Sequence, residues 1–472
     1  MSRAIISFLI FILGINMATR GAGKCNISFE IKNHEDSYIS LAYHLGEQQF
    51  IKDTIYTDKA GKGTFNSDEN LDRGMYMIVF PDNDLFELII SDDQNFSVSC
   101  DRNDIINTLK FEGSEENTAF LEYRKRWMNF QETATNKRQL LQKLSKSDSI
   151  SILRTEISSL EDDMLGYIRS TARKYEGSLL SSILYSMLPV EVPEFEIAGN
   201  AANRDSLKWV MGYHYNKEHF FDNIRLDDPG LIRTPILHGK LKTFFSRTII
   251  QAPDSVIPEI RKVVDLASAN RETFQYVTSF LFNHFRQSQI MGHDGIIVML
   301  ADEYYLNGKA DWVSKEFLEQ LEKDVAGIRP SLIGKKAADL TMETYAGVFR
   351  SLYDIRSDFT IVYFWEPNCG HCKTVTPALR DIYREHRDRG IEVFAVCTQN
   401  NRKEWEEYIA EHELDWINGW DPLRSTAYDF YYNVRATPLI YILDKDKEII
   451  AKKLPVENIV DFINTYRRIN KQ

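Results

Sequence analysis

From residue 24 to about residue 112, apolar and polar positions alternate along the chain. Ile27, Phe29 and Ile31 keep a period of two, as do Ile39, Leu41 and Tyr43, and short apolar runs follow at Met75–Phe80 and Phe86–Ile90. Successive side chains of a strand point to opposite faces, so this pattern predicts strands with one face buried. Polar clusters at Asp58–Gly63, Ser67–Asn70 and Asp82–Asp84 separate the runs. Several short strands at such spacing predict a small β-sandwich over residues 24–113.

The period then changes. Stretches 117–144 and 149–175 are rich in Glu, Lys, Arg and Leu with apolar residues at helical spacing, and Pro229-Gly230, Ala252-Pro253-Asp254 and Asn307-Gly308 punctuate later helical runs. Phe274, Tyr276, Phe280, Phe282 and Phe285 form an aromatic stripe, which at this spacing reads as helix-packing core. An all-α region is expected over 114–328, followed by a linker and leading strand over 329–340. Residues 341–472 alternate strands and helices. Strands are predicted near Thr360–Trp365, Ile391–Thr398, Leu439–Leu443 and Glu448–Lys452, and helices at Gly370–Arg389, Lys403–His412, Ser425–Tyr432 and Val456–Arg468. That order predicts an α/β domain with helices on both faces of a sheet.

The beginning of the chain adds a compartment. Arg3 precedes an apolar stretch from Ala4 to Ala18, followed by Thr19, Arg20 and the small residues Gly21-Ala22-Gly23. A basic start, an apolar run of roughly 7–15 residues and small residues after it describe a secretory signal peptide. It is expected to occupy residues 1–23, with cleavage after Gly23. The run falls short of the roughly 20 apolar residues that span a bilayer. An uncleaved anchor is one alternative. A lipidated Cys25 is another, although Ala22 and Lys24 depart from the Leu-like and small residues of a lipobox. Either would associate the protein with a membrane. The net charge of -12 argues against nucleic acid as a partner, since nucleic-acid binders carry a basic stripe.

Five cysteines are present: Cys25, Cys100, Cys369, Cys372 and Cys397. An oxidising compartment permits a bridge between Cys25 and Cys100, both on predicted strands. Cys397, inside a predicted strand, reads as a core thiol. Cys369 and Cys372 are different. The segment Trp365-Glu366-Pro367-Asn368-Cys369-Gly370-His371-Cys372-Lys373 follows an apolar strand and opens an amphipathic helix, the setting of a redox C-x-x-C. Two intervening residues on the first helical turn bring the sulfurs within reach of a bond of about 2.05 Å.

Cys369 at the helix start meets unpaired N–H groups and the positive end of the helix dipole, which favour a thiolate. A free thiol of pKa about 8.5 is only a few per cent ionised at neutral pH. The dipole contributes ~2 kcal/mol at most, which lowers the pKa by no more than about 1.5. Neighbours must supply the rest, and His371 is the candidate. A zinc site needs four ligands, and the sequence has no second C-x-x-C or H-x₃-H, so no metal is expected. An inert structural bridge is the other alternative.

These residues resemble the TlpA/ResA-type thioredoxin-like thiol–disulfide oxidoreductases of bacterial envelopes, from about Ile333 to the end of the chain. The segment Ile333-Gly334-Lys335-Lys336-Ala337-Ala338-Asp339-Leu340 is similar to the family's leading strand. Gly370-His371 resembles the active-site dipeptide of protein disulfide isomerase, and Pro377 matches the proline that kinks the active-site helix. Thr437-Pro438 matches the cis-proline loop, which in the family faces the disulfide and pairs with an extended substrate segment. A β-domain closing at Phe111-Glu112-Gly113-Ser114 and Asn117, a helical middle and W-x-P-x-C-G-H-C together resemble Bacteroidetes-type envelope oxidoreductases.

The resemblance implies that Cys369 and Cys372 form a redox-active disulfide. Cys369 exchanges with protein thiols or disulfides, Cys372 resolves, His371 tunes the potential, and Gly370, Trp365 and Pro377 shape the site. Thr437 and Pro438 hold the substrate. No dissociable cofactor is expected, whereas an upstream redox partner is. Three positions depart from the family: Tyr363 replaces its buried acid, Asn368 its Trp and Ala338 its leading Pro. Cys372 is thus left without an obvious proton acceptor, with Glu366 the one candidate. A peroxidase on the same fold would carry Thr three residues before the attacking thiol, where this chain has Glu366. The alternative reading is an envelope adaptor whose β and helical regions carry the function, the redox pair being regulatory.

Overall fold

The computed structural model describes residues 25–143, 147–197 and 203–470. The expected signal peptide lies outside them. The chain forms two compact units, Met1–Leu241 and Lys242–Gln472. The helices expected over 114–328 are therefore shared between the units.

In the first unit the alternating segments form β1 (Cys25–Lys32), β2 (Tyr38–Leu45), β3 (Gln48–Tyr56), β4 (Lys62–Ser67), β5 (Gly74–Val79), β6 (Leu85–Ile90), β7 (Asn95–Asp101) and β8 (Lys110–Glu112). They make two four-stranded sheets, ordered β4-β1-β7-β8 and β3-β2-β5-β6. Ile27, Phe29 and Ile31 of β1 join Ile39, Leu41, Ile78, Leu88 and Val98 in one core, each fully buried aliphatic contributing roughly 1.5–3 kcal/mol. The helix Glu115–Lys143 is fastened to β6 by Asn117. Asn117 Oδ1 accepts from Ile89 N–H at 2.7 Å and its Nδ2 donates to Ile89 O at 2.8 Å, so a side chain continues the ladder at the sheet edge.

The register rules out a bridge between Cys25 and Cys100. β1 runs parallel to β7 with Ile31 opposite Cys100, and Cys25 lies six residues before Ile31. At about 3.3 Å per residue the two α-carbons stand roughly 20 Å apart, far beyond the ~7 Å a disulfide tolerates. Both side chains are buried, and burial pushes both thiols up to about 11.

In the second unit helices Pro253–Ala267, Arg271–Arg286, His293–Leu300 and Lys315–Ile328 precede a seven-stranded sheet. Its strands are β9 (Thr341–Thr344), β10 (Phe349–Ser351), β11 (Phe359–Trp365), β12 (Ile391–Cys397), β13 (Ile417–Trp420), β14 (Leu439–Leu443) and β15 (Ile449–Lys452), in the order β10-β9-β13-β12-β11-β14-β15. Central β11 is buried at every position. Ile361, Tyr363 and Trp365 pack into one apolar cluster and Val362 and Phe364 into a second, which explains its unbroken apolar run. The leading segment is not a full strand. It makes one bridge, Lys336 with Glu448, and the strand proper begins at Thr341.

Two buried lysines tie the unit together. Lys447 Nζ donates to Ile355 O and Thr360 Oγ1, both at 2.9 Å. Lys452, 2% exposed, pairs with Asp294 at the start of helix His293–Leu300 and donates to Ser331 O at 2.7 Å.

Candidate functional site

Buried β11 ends at Trp365, and Glu366, Pro367 and Asn368 lead to the helix Gly370–His386. Cys369 is its N-cap: in extended backbone, its Sγ accepts the Cys372 N–H at 3.3 Å. Sulfur here takes the place of the oxygen that usually pairs an orphan amide at a helix start. Cys372, one turn in, is fully buried, while Cys369 is half-buried. Both are free thiols. Pro377 lies inside the helix and offers no N–H to the turn before it.

A second segment completes the site. The Thr437-Pro438 bond is cis, and the Cys369 thiol donates to the Thr437 carbonyl at 3.3 Å. That carbonyl is an acceptor, so it favours the protonated sulfur, while the amides at the helix start favour the thiolate.

The two sulfurs are driven in opposite directions. For Cys369, burial works upward, but hydrogen bonds from the Cys372 thiol and N–H, the Thr437 side chain and the His371 N–H outweigh it and hold the pKa below the ordinary thiol value. For Cys372, burial dominates, and with the hydrogen bond to Cys369 it pushes the thiol up to about 12. A half-buried sulfur held below the ordinary thiol value therefore sits beside a fully buried one held above it, an arrangement suited to attack by the first and delayed attack by the second.

The remaining expected residues fall around this pair. His371 is exposed and acts on Cys369 through its backbone N–H. Trp365 is buried, with its ring parallel to Tyr363 at 6.4 Å and tilted against Tyr408 at 5.1 Å. Gly370 is exposed at the first helical position, with open space where a Cβ would stand. The Glu366 carboxylate accepts the Thr398 hydroxyl at 2.6 Å, and what Glu366 offers Cys372 is its backbone N–H. Cys397 ends β12 opposite Trp365 and is buried, its thiol pushed up to about 12 by burial first. Sequence reasoning missed Thr376 and Tyr408. Thr376 had a signal, four residues beyond Cys372 and so on the same helix face; Tyr408 comes from a distant helix and had none.

Residues 333–452 match the AhpC/TSA family model. The chain is similar to the thiol-disulfide oxidoreductase ResA of Bacillus cereus, 22% identical over 120 residues that make up 25% of this chain and 68% of that protein. It is also similar to a thioredoxin-like protein of Haemophilus influenzae, 25% identical over 25% of this chain and 70% of the relative. Among solved structures, a domain of a possible thiol-disulfide isomerase from Cytophaga hutchinsonii is 39% identical, covering 30% of this chain and 97% of that domain with a TM-score of 0.29. The C-terminal region of this chain, matched by the AhpC/TSA model over residues 333–452, is a thioredoxin-like thiol–disulfide oxidoreductase of the TlpA/ResA type.

Proposed function

We propose that the protein exchanges electrons with protein disulfides and dithiols in the bacterial cell envelope through its C-G-H-C motif. The Cys369 thiolate attacks a substrate disulfide, forming a mixed disulfide and releasing one substrate sulfur. Cys372 then loses its proton and attacks Cys369 Sγ, releasing the second substrate sulfur and leaving a Cys369–Cys372 disulfide, which an upstream redox partner reduces. The reverse sequence oxidises a substrate. Thr437 and Pro438 present backbone to an extended substrate segment. No dissociable cofactor takes part.

The observation that carries this reading is the pair of sulfurs at one helix start, one half-buried and one fully buried, with the Cys372 N–H and the Thr437 carbonyl each 3.3 Å from the outer one. Export rests on the pattern of residues 1–23. The two sheets built from β1 to β8 are read as a small β-sandwich, and residues 341–472 as the redox domain. Cys25, buried at the start of β1, is read as a packing thiol.

Replacing the resolving thiol tests the proposal. Cys372→Ser should accumulate mixed disulfides with client proteins that dissolve on adding reductant, and Cys369→Ala should abolish insulin reduction. Absence of adducts together with unchanged insulin reduction in Cys369→Ala overturns it.

A further inference from the structure

Cys372 presents a difficulty. It is fully buried, with its thiol pushed up to about 12, yet it must carry negative charge as it attacks Cys369. A carboxylate does not occupy the position two residues before Trp365; Tyr363 does.

Tyr363 and Tyr408 share one buried cluster with Cys372, and Thr376 is hydrogen-bonded into it through Tyr363. Tyr363 Oη and Thr376 Oγ1 are hydrogen-bonded at 2.8 Å, and both residues are fully buried. The Tyr363 hydroxyl also reaches the Cys372 thiol. Tyr408 enters from helix Arg402–Glu411 with 8% exposure. Its ring packs on Trp365 within the buried cluster that also holds Cys372, and its hydroxyl completes no hydrogen bond among the described residues. A buried, unpaired hydroxyl costs free energy in the dithiol state. That cost is relieved once an acceptor appears, and a thiolate is a far stronger acceptor than a thiol. Hydroxyls suit the task because rotation about one bond turns an acceptor of S–H into a donor to S⁻. They add no permanent charge that would oppose the Cys369 thiolate nearby.

We infer that the hydroxyls of Tyr363, Thr376 and Tyr408 are a switchable donor set that receives the charge on Cys372 while it resolves the mixed disulfide. This rests on the proposed roles of Cys369 and Cys372. In the step, the Cys372 S–H bond breaks and the Cys369–Cys372 bond forms while the Cys369–substrate bond breaks. The electron pair of that broken bond leaves on the substrate sulfur. The proton goes to the departing sulfur or, where it leaves as a thiolate, to solvent. Tyr408 has the largest share, because its donor is uncommitted beforehand.

Ellman's reagent separates the two steps in the full-length protein. Attack by Cys369 releases a first thionitrobenzoate, and resolution by Cys372 releases the second. Tyr408→Phe should slow the second release relative to the first by about tenfold or more, the effect of losing a hydrogen bond to a charged group. It should also move the pH at which the second release accelerates upward. Thr376→Val should act in the same direction. A purely structural role would not shift that pH profile. A wild-type ratio and profile in both variants overturns the inference, as does equal slowing of both releases. Cys372→Ser is the independent control. If it still releases both equivalents, the assignment of the cysteine pair fails, whatever the hydroxyl variants do.

Discussion

Cys369 Sγ accepts the backbone N–H of Cys372 at 3.3 Å, so the amide of the buried cysteine supports negative charge on its half-buried neighbour. The same turn that leaves Cys369 half-buried buries Cys372 fully. One hydrogen bond thus couples the two members of the pair, which differ in depth along a single helix.

Buried thiols give a stability–pH relation. Burial raises Cys372 and Cys397 from 9.0 to about 12, so the folded state favours their neutral forms. Their contribution is complete below the ordinary thiol pKa and is lost as pH rises through about 12. Thermal unfolding of the dithiol protein should fall to lower temperature between pH 9 and 12, and Cys397→Ala should flatten that fall relative to its own neutral-pH value.

The ion pair of Lys452 with Asp294 is the next test. Lys452 is 2% exposed, and burial lowers its pKa while Asp294 opposes that. Removing one partner strands a buried charge, at a cost of about 3–5 kcal/mol. Asp294→Asn should lower stability by about that amount in denaturant titration, and Lys452→Met combined with Asp294→Asn should recover most of it.

Asn117 makes two buried hydrogen bonds to Ile89. Asn117→Ala leaves both backbone groups unpaired and should destabilise the first unit by about 1–3 kcal/mol. Asn117→Asp retains an acceptor for Ile89 N–H but sets a carboxylate against Ile89 O, and should destabilise at least as much.

Oxidised protein digested without reductant should contain the Cys369–Cys372 bridge with Cys25 and Cys100 free, because strand register holds the latter pair apart. Finding Cys25 joined to Cys100 within one chain would contradict the register.

The redox domain was legible where periodicity was strong. β11, β12 and β14 and the active-site helix start where apolar runs and the C-x-x-C place them. β13 went unseen because Ile417-Asn418-Gly419-Trp420 reads as a turn from its Asn-Gly pair. In the folded chain Asn418 is buried and bonds Leu414 O at 2.8 Å, and a Cβ on Gly419 would stand 2.5 Å from Met342 Sδ, so packing overrides local preference. The split of the helical region was equally hidden, since it depends on tertiary contacts such as that of Lys452 with Asp294. At the site, the cysteines, Thr437 and Pro438 were visible as motifs. Tyr363 was visible as a departure from the family, but its hydroxyl partners were not, because they meet Cys372 only after folding.

Alkylation of Cys369 in the reduced full-length protein, followed across pH and localised by mass spectrometry, bears most directly on the ionisation that the chemistry depends on. Cys369 should titrate below the ordinary thiol value of 9.0 while Cys372 stays unreactive until close to pH 12. A Cys369 midpoint at or above 9.0, or Cys372 reacting first, would contradict the assignment of attacker and resolver.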